Sequence, residues 1–251
     1  MIVIAIRTPL VKQNDDLFEI IKKSVTTVPE KSVLVVTSKI ISFCQGRVVS
    51  KGKGRSAEKQ RLVRKEADYY LEDSYSKYDL MLTVKNHTLA VNAGIDESNA
   101  SGGYVLWPKD LQQTTDNIWR FLRLSYQVKK VGVVVADSKT LPLRWGIVGT
   151  AISYCGFQAL YDYRGKKDLF GRELKMTQIN MAEAIAVAAV LEMGEAAERT
   201  PLCLVQNVKK IKFQDRPPTD KELRKLTINL EDDVCSPLLT AVNWQKKGRE
   251  F

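Results

Sequence analysis

The stretch VGVVVA at residues 131–136 decides the fold, and it is followed directly by Asp137 and Ser138. A short and almost uniformly apolar run is typical of a buried strand. The run VLVV at residues 33–36 predicts a second buried strand, and the apolar start at residues 1–6 predicts a first one. Because active-site residues collect where strands give way to loops, we expect chemistry at Asp137, where the strand is predicted to end.

Helical patterns alternate with these strands. Apolar residues at helical spacing between residues 17 and 25 predict a helix capped near Asn14. The alanine-rich residues 180–193 predict another helix, which Gly194 is placed to end. The Lys- and Arg-rich residues 51–70 predict a loop and then a helix that runs to Tyr70. Without any internal repeat, this alternation predicts a mixed α and β (α+β) architecture.

Composition excludes several classes of protein. With 251 residues and 44% hydrophobic residues, the chain can bury a core, yet no apolar run approaches the roughly 20 residues of a membrane span. The start lacks the pattern of a signal peptide, so we expect a cytoplasmic location. The four widely spaced cysteines and the single His87 exclude zinc-type and histidine-rich metal sites. The net charge of +10 is compatible with nucleic acid, an anionic surface or a polyanionic substrate.

A glycine and lysine cluster, GRVVSKGKG at residues 46–54, superficially resembles a phosphate-binding loop. A P-loop has four residues between its glycines and a Ser or Thr after the lysine. Here five residues separate Gly46 from Gly52, and Gly54 follows Lys53. We therefore reject a P-loop.

A second cluster, NAGIDESN at residues 92–99, follows a strand-like segment. Such a turn is often only a capped loop, because Asn, Asp and Ser side chains bind nearby backbone groups. The functional alternative is a set of hard oxygen ligands around Asp96, which suits magnesium or manganese, with Asp137 as a second carboxylate. Spacing alone leaves both interpretations open.

Two further segments carry the same ambiguity. In DSKTLPLRWG at residues 137–146, either a strand turns into a loop with a surface arginine, or Asp137 and Ser138 bind metal while Arg144 binds a carboxylate or phosphate. The stretch YDYRG at residues 161–165 is either a turn or a source of cations and hydroxyls for an acidic substrate.

Taken together, these segments resemble the coenzyme F-420 γ-glutamyl ligase family over nearly the whole chain. Residues 38–47 are similar to its SKIVSKAEGR stretch, 92–99 to NAGIDxSN, 137–146 to DSxGRPxRxG and 161–171 to the DYRGxxDxFGR region. Five ordered similarities, including the nucleotide contact at residues 8–11, are far more specific than any one of them. Phe43 and Gln45 depart from the pattern, which has lysine and glutamate there.

The resemblance implies a role for each matching residue. It implies metal ligation by Asp96, Asp137, Ser138 and Glu195, and a catalytic part for Asp96, Asp137 and Arg144. It implies that the nucleotide, normally GTP with ATP as the alternative, is held by Thr8, Pro9, Leu10, Val11, Ser38, Lys39, Asn99, Met193 and Gly194. It also implies magnesium or manganese, as two ions, with potassium as a further cofactor.

The implied activity is amide formation between L-glutamate and the carboxylate of an acidic deazaflavin cofactor through an acyl phosphate. A folate is the alternative acceptor, and a nucleotide- or RNA-binding protein without catalysis is the alternative of another class. The resemblance further implies an intertwined homodimer of a two-lobed ligase-like fold. We expect residues 1–75 and 198–251 to form one mixed lobe and residues 76–197 to form a second, which carries the metal motifs.

Overall fold

The computed structural model describes residues 1–52, 55–72, 78, 80–100 and 102–246. Its strands are β1 (Ile2–Ile6), β2 (Ser32–Thr37), β3 (Val48–Ser50), β4 (Tyr69–Tyr70), β5 (Leu82–Lys85), β6 (Thr88–Val91), β7 (Gly103–Val105), β8 (Val131–Thr140), β9 (Ile147–Cys155), β10 (Leu160–Asp162), β11 (Gln178–Asn180), β12 (Leu202–Gln206) and β13 (Gln245–Lys246). Its α-helices are α1 (Leu17–Ser24), α2 (Ser38–Cys44), α3 (Arg55–Glu66), α4 (Leu111–Ser125), α5 (Met181–Met193), α6 (Asp220–Leu226) and α7 (Ser236–Leu239). The predicted mixture of α and β structure is confirmed.

The largest sheet has five strands in the order β1, β12, β2, β8, β9. Only β2 and β8 are parallel, and the other neighbours are antiparallel. The runs at residues 33–36 and 133–136 are fully buried, which explains why they are almost uniformly apolar. Burial of each such valine stabilises the fold by roughly 1.5–3 kcal/mol. Both predicted central strands are confirmed.

Helices cover both faces of this sheet. On one face, α1, α2 and α4 pack through residues such as Ile21, Ile41 and Ile118. On the other face lies α5, whose Ala182 and Ala186 are fully buried. Small alanine side chains allow α5 to approach the sheet closely. The helix predicted for residues 180–193 is confirmed, with Asn180 at its start and Gly194 at its end.

An irregularity lies where β8 pairs with β9. Val135 pairs with Ser153 but Ala136 pairs with Ala151, so Ile152 is an extra residue in β9. Ile152 packs into the core beneath α4, and Ser153 donates a hydrogen bond to Gln112 of α4. Two successive side chains therefore point to the same face, which is the signature of a β-bulge.

A smaller part of the fold carries the remaining sheets. Strands β13, β4, β5 and β6 form one sheet, β3 pairs with β7, and β10 pairs with β11. Together with α3, the first two of these sheets enclose a separate core that includes Met81, Ile95 and Tyr104. This core supports the segment between β6 and β7, which contains Asp96.

Three boundaries differ from the sequence-based predictions. Helix α1 is capped by Asp16 rather than near Asn14, because the Asp16 carboxylate accepts the backbone amides of Phe18 and Glu19. Helix α3 ends at Glu66, since Tyr69–Tyr70 pairs with β5 instead of continuing the helix. Strand β8 does not end at Asp137 but runs to Thr140, because residues 137–140 continue to pair with β9.

The five-stranded sheet includes strands from both predicted lobes. Strands β1, β2 and β12 belong to the predicted first lobe, whereas β8 and β9 belong to the predicted second. The predicted boundary at residue 75 lies outside the described residues. The division into two lobes therefore stays a prediction. Within the part of the chain that the structure describes, no helix is both long enough and apolar enough to cross a bilayer.

Candidate active site

The parallel pairing of β2 and β8 builds one edge of the site. Thr37 lies opposite Ala136 at the end of this pairing, so the residues that follow each of them begin side by side, although β8 itself continues in its pairing with β9. On one side these are Ser38 and Lys39, which open α2. On the other is Asp137. Carboxyl ends of parallel strands are where α/β proteins place ligands.

Asp96 reaches this edge from the smaller part of the fold. Its backbone forms an isolated bridge with Val105, which fixes the direction of its side chain. The carboxylate accepts the Ser98 amide at 2.7 Å and pairs with the Lys39 ammonium at 2.6 Å. Burial on its own raises the pKa of Asp96, but Lys39 and Ser98 more than offset this and hold the pKa below its usual value. Asp96 is therefore a well-ordered anion at neutral pH.

Asp137 sits in a less polar setting. Its Oδ1 atom accepts a hydrogen bond from the Ser138 amide at 2.9 Å, and its Oδ2 atom accepts a hydrogen bond from the indole nitrogen of Trp107. Burial raises the pKa of Asp137 to about 6, and the negative charge of Asp96 also raises it. The two carboxylates thus interact unfavourably, and the ammonium of Lys39, which pairs with Asp96, partly offsets this by lowering the pKa of Asp137.

The segment after α5 closes the other side. Asn99 donates a hydrogen bond to the carbonyl of Ala196 at 2.9 Å, which ties this segment to the loop of Asp96. Arg199 exchanges backbone and side-chain hydrogen bonds with Thr8, at 2.9 and 3.1 Å. The pKa of Glu195 lies above its usual value, mainly because the side chain is partly buried. The charge of Lys39 lowers this pKa and the charge of Asp96 raises it.

These segments surround one cavity of about 370 Å³. The YDYRG stretch at residues 161–165 does not line this cavity. The lining contains every residue for which the resemblance implies a metal-binding, nucleotide-binding or catalytic role except Arg144: Thr8, Pro9, Leu10, Val11, Ser38, Lys39, Asp96, Asn99, Asp137, Ser138, Met193, Gly194 and Glu195. The segments come from five separate parts of the chain. The structure thus gathers these residues in one place, whereas the role of each stays a prediction.

Arg144 lies elsewhere. It belongs to the exposed turn between β8 and β9, and its side chain donates only to the neighbouring carbonyl of Leu143 among the described residues. Leu143 and Trp145 on either side are 96% and 93% exposed. The predicted contact of Arg144 with a carboxylate or phosphate is therefore not made within this cavity.

The cavity offers a set of donor atoms that suits the implied divalent metal. Asp96, Asp137, Glu195 and the Ser138 hydroxyl offer only oxygen atoms, which is the chemistry that magnesium and manganese prefer. In the described part of the chain, no three His, Cys, Asp or Glu side chains are arranged to hold a metal by themselves. Magnesium is usually bound by one or two carboxylates together with substrate phosphates and water, so the residues fit the ion in chemistry.

Sequence reasoning missed two residues that shape the site. Trp107 is buried and holds Asp137, although its position in the sequence follows a strand without any polar motif. Gly94 lets the indole approach, since a Cβ atom there would lie 2.1 Å from the Trp107 nitrogen. The glycine within NAGIDESN was the available signal, because a glycine with positive φ often marks a close approach.

The two departures from the family pattern lie in different places. Phe43 lines the cavity and replaces a positive charge with an aromatic ring. Gln45 lies outside it, where its amide donates to the Lys109 carbonyl and accepts the Lys109 amide at 3.2 and 2.8 Å. Only the Phe43 change therefore alters the surface that faces a ligand.

A protein family matches this chain over the regions that form the cavity. The model of the F420-0:gamma-glutamyl ligase family matches residues 5–207. A protein named coenzyme F420:L-glutamate ligase from Methanopyrus kandleri is 41% identical over 133 residues, which cover 52% of this chain and 52% of that protein. Proteins of the same name from Methanococcus maripaludis and Methanocaldococcus jannaschii are 36% and 38% identical, over 62% and 51% of this chain and 60% and 51% of theirs.

The chain thus spans about half the length of the curated relatives it matches. The family match is much longer and covers β2, β8, β9 and β12 of the five-stranded sheet, the end of β1 and every cavity segment described above. Because that match extends over most of its residues, this chain belongs to the F420-0:gamma-glutamyl ligase family.

Proposed function

We propose that this chain joins L-glutamate to the carboxylate of an acidic acceptor of the deazaflavin coenzyme F-420 type, at the expense of a nucleoside triphosphate. The observation that carries the proposal is one cavity of about 370 Å³, where four of the five segments that resemble this family meet. The names of the relatives, coenzyme F420:L-glutamate ligase, support the same acceptor and donor. GTP is the nucleotide that the resemblance implies, with ATP as the alternative.

Two steps make the reaction balance. In the first, an acceptor carboxylate oxygen attacks the γ-phosphorus of the triphosphate, and the nucleoside diphosphate leaves. In the second, the amine of glutamate attacks the acyl carbon of this acyl phosphate, and inorganic phosphate leaves with the formation of the amide bond. Both steps need several negative groups to be held together, and the protein must offset their repulsion.

Lys39 is the cation best placed to do so. Its ammonium lies 2.6 Å from Asp96 and 3.2 Å from the Ser98 carbonyl, at the start of α2. We propose that it turns towards the phosphates when the nucleotide binds, while Asp96 and Asp137 take up the divalent ion. The proposed metals are two Mg²⁺ or Mn²⁺ ions, with K⁺ as a further cofactor. The divalent ions would offset negative charge on the phosphoryl group during its transfer.

The remaining lining residues hold and enclose the nucleotide in this proposal. Leu10, Phe43 and Met193 offer apolar contact surface, and Asn99 joins the two sides of the cavity through Ala196. Exclusion of water matters here because an acyl phosphate hydrolyses readily. Both the nucleotide and glutamate are cytoplasmic metabolites, so the proposed site of action is the cytoplasm.

The acceptor is the part of the proposal that Phe43 touches. An aromatic ring in place of the family's lysine removes a positive charge from the cavity lining and adds a stacking surface. A folate also ends in a glutamate chain and carries a flat ring system, so dihydrofolate is the second acceptor to be tested.

The deciding experiment measures product mass. Purified protein is incubated with glutamate, Mg²⁺ and either GTP or ATP, together with the glutamate-free coenzyme F-420 precursor or dihydrofolate. We expect the precursor to gain the mass of one or more glutamyl groups, with release of phosphate. A mass gain on dihydrofolate alone would replace the acceptor, and no gain on either acceptor would contradict the ligase proposal.

A homodimer is the second part of this proposal. The exposed turn between β8 and β9 presents Leu143 and Trp145 to solvent, and the loop after β10 does the same with Leu169 and Phe170, 98% and 96% exposed. Large apolar side chains with this exposure are typical of protein interfaces. A second copy that covers these side chains would also contact Arg144, which lies between Leu143 and Trp145. In the dimer the planar guanidinium of Arg144 could then bind a carboxylate of a substrate held by the second copy.

A further inference from the structure

A cluster of tyrosines and lysines lies away from the cavity. It consists of Tyr161, Tyr163, Lys166, Lys210 and Lys212, and we refer to it as the tyrosine–lysine cluster. The Nζ atoms of Lys166, Lys210 and Lys212 lie 4.7, 5.7 and 5.8 Å from the centre of the Tyr161 ring. Lys166 and Lys210 also lie 5.0 and 4.8 Å from the centre of the Tyr163 ring.

Three segments hold this cluster together. Tyr161 lies in β10, where it pairs with Ile179 of β11. Lys210 and Lys212 come from the segment after β12, which the Gln158 amide and the Lys212 carbonyl tie to the sheet at 2.8 Å. The match to the family ends at residue 207, so these two lysines lie beyond it.

The hydrogen bonds position the ammonium groups rather than neutralise them. Lys166 donates to the Tyr161 hydroxyl at 2.9 Å, and Lys210 donates to the Tyr163 hydroxyl. An ammonium group has three donors, so donors remain for a ligand on each. The hydrogen bond from Lys166, assisted by the charges of Lys210 and Lys212, holds the pKa of Tyr161 below its usual value.

No carboxylate balances this charge within the described residues. None of the ion pairs found there involves Lys166, Lys210 or Lys212. The nearest acid in sequence, Asp162, is bound instead by Arg164 at 2.6 Å. Three like charges around one ring repel each other, and a bound anion would reverse that unfavourable interaction.

The cluster is separate from the cavity described above. Tyr161 lies beside the start of α5, whereas Gly194 at the end of α5 lines the cavity. A helix of this length spans roughly 20 Å. A ligand in one place does not touch the other within the same chain.

We propose that the tyrosine–lysine cluster is a second anion-binding site, which takes a small oxyanion with several charges, such as a diphosphate or neighbouring carboxylates. Ammonium groups bind such oxygens as point charges, and phenol hydroxyls add donors. A nucleic acid is less suited, because lysines lie over the ring faces on which bases would stack. This proposal does not depend on the ligase activity.

Lysine acylation read by peptide mass spectrometry tests the site directly. The full chain is treated with acetic anhydride in the presence of pyrophosphate or tri-γ-glutamate, which represent the phosphate and carboxylate sources. We expect either anion to slow acylation of Lys166, Lys210 and Lys212 by about tenfold, as charge-assisted contacts of this kind imply. Lys209, which is exposed and has no ring contact among the described residues, is expected to react at an unchanged rate.

A variant separates binding from a general effect of salt. In Lys212→Gln, the anion concentration needed to halve the acylation rate of Lys210 is expected to be about tenfold higher than in the wild type. In Lys209→Gln this concentration is expected to be unchanged. Equal protection of all four lysines, or protection of none, would overturn the site. Protection by a short single-stranded RNA but by neither small anion would overturn the assignment of the ligand.

Discussion

The indole nitrogen of Trp107 donates a hydrogen bond to the carboxylate of Asp137, a residue 30 positions further along the chain. This contact joins the smaller part of the fold, which carries Asp96, to the central strand β8. The relative positions of the two acidic residues therefore depend on a buried aromatic ring that takes no part in the proposed chemistry.

Replacing the indole donor is expected to weaken both activity and stability. In Trp107→Phe an apolar ring remains but the hydrogen bond to Asp137 is lost, which is expected to lower the free energy of unfolding by roughly 1.5–3 kcal/mol. We expect kcat/KM for glutamate ligation to fall by roughly tenfold to a hundredfold. Trp244→Phe, which loses a hydrogen bond to the Leu239 carbonyl, is the matched control, and equal losses in both variants would contradict a specific role.

The charge of Asp96 can be removed without a change in shape. We expect Asp96→Asn to lower kcat/KM by at least roughly a hundredfold, because the carboxylate is proposed to offset charge through a divalent ion. Raising the Mg²⁺ concentration should restore part of the loss. The neighbouring Glu97→Gln serves as control, since Glu97 pairs with Lys51 and Lys59 outside the cavity lining. Full activity of the Asp96 variant would refute the assignment.

Gly94 offers a test of the close contact with Trp107. A Cβ atom at Gly94 would lie 2.1 Å from the indole nitrogen, and the residue has a φ of 70°. Gly165 has a similar φ of 81°, yet nothing lies within 4 Å of the corresponding Cβ position. We expect Gly165→Ala to cost about 1 kcal/mol for backbone strain and Gly94→Ala several times more, measured by urea unfolding. Equal costs would show that the contact is unimportant.

The pH dependence of stability should report on Glu66. This side chain is 16% exposed and pairs with Arg47 and Lys85, both at 2.8 Å. Burial raises the pKa of Glu66, but Lys85 and Arg47 bring it below the ordinary value. A lowered pKa means that the stabilisation is complete above the unfolded-state pKa of about 4.3 and is lost as the pH falls through the lower folded-state pKa.

Glu66→Gln is therefore expected to lower the free energy of unfolding at pH 7 by roughly 3 kcal/mol, because it leaves two buried cations without their partner. The difference between variant and wild type should shrink as the pH falls below about 4. Glu72→Gln, whose partner Arg64 is more exposed, should cost less than about 1 kcal/mol. A difference that does not change with pH would contradict the pKa assignment.

The proposed dimer can be tested by removing its apolar contacts. We expect the double change Leu143→Ser and Trp145→Ser to convert the dimer into a monomer in sedimentation experiments, because both side chains are almost fully exposed in one chain. Leu124→Ser removes a similarly exposed leucine from α4 and should leave the dimer intact. A wild-type chain that sediments as a monomer would exclude this part of the proposal.

Local patterns in the sequence predicted much of the central architecture. The uniformly apolar runs at residues 33–36 and 131–136, and the alanine-rich segment before Gly194, each predicted their element correctly. These elements are buried on most sides, so their composition alone identifies them. The cap of α1 was displaced because Asn14, Asp15 and Asp16 are all acceptable caps, and only the folded geometry selects Asp16.

The site itself was predicted through resemblance rather than through local patterns. Asp96 and Asp137 are far apart in sequence. The parallel register of β2 and β8, the ion pair of Lys39 with Asp96 and the contact of Trp107 with Asp137 bring their segments together. Such long-range packing leaves no periodic signal. The position of Arg144 shows the opposite case, since its motif matched the family while its side chain lies outside the cavity.

The extra residue Ile152 gives β9 two phases. Side chains normally alternate between the two faces of the sheet along a strand. Because Ile152 is an extra residue, the side chains from Ile147 to Ala151 point to the opposite faces from those that the alternation of Ser153 to Cys155 would give them. Gly149 consequently meets the backbone of Ala186, where a larger side chain would push α5 and the cavity wall at its end outwards. Without this extra residue, the side chains from Ile147 to Ala151 would face the opposite way, and a residue with a larger side chain would take the place of Gly149 against Ala186. Length changes should therefore be tolerated at the tip of the β8–β9 turn but not at residue 152, where one residue sets the spacing between the sheet and the wall of the cavity.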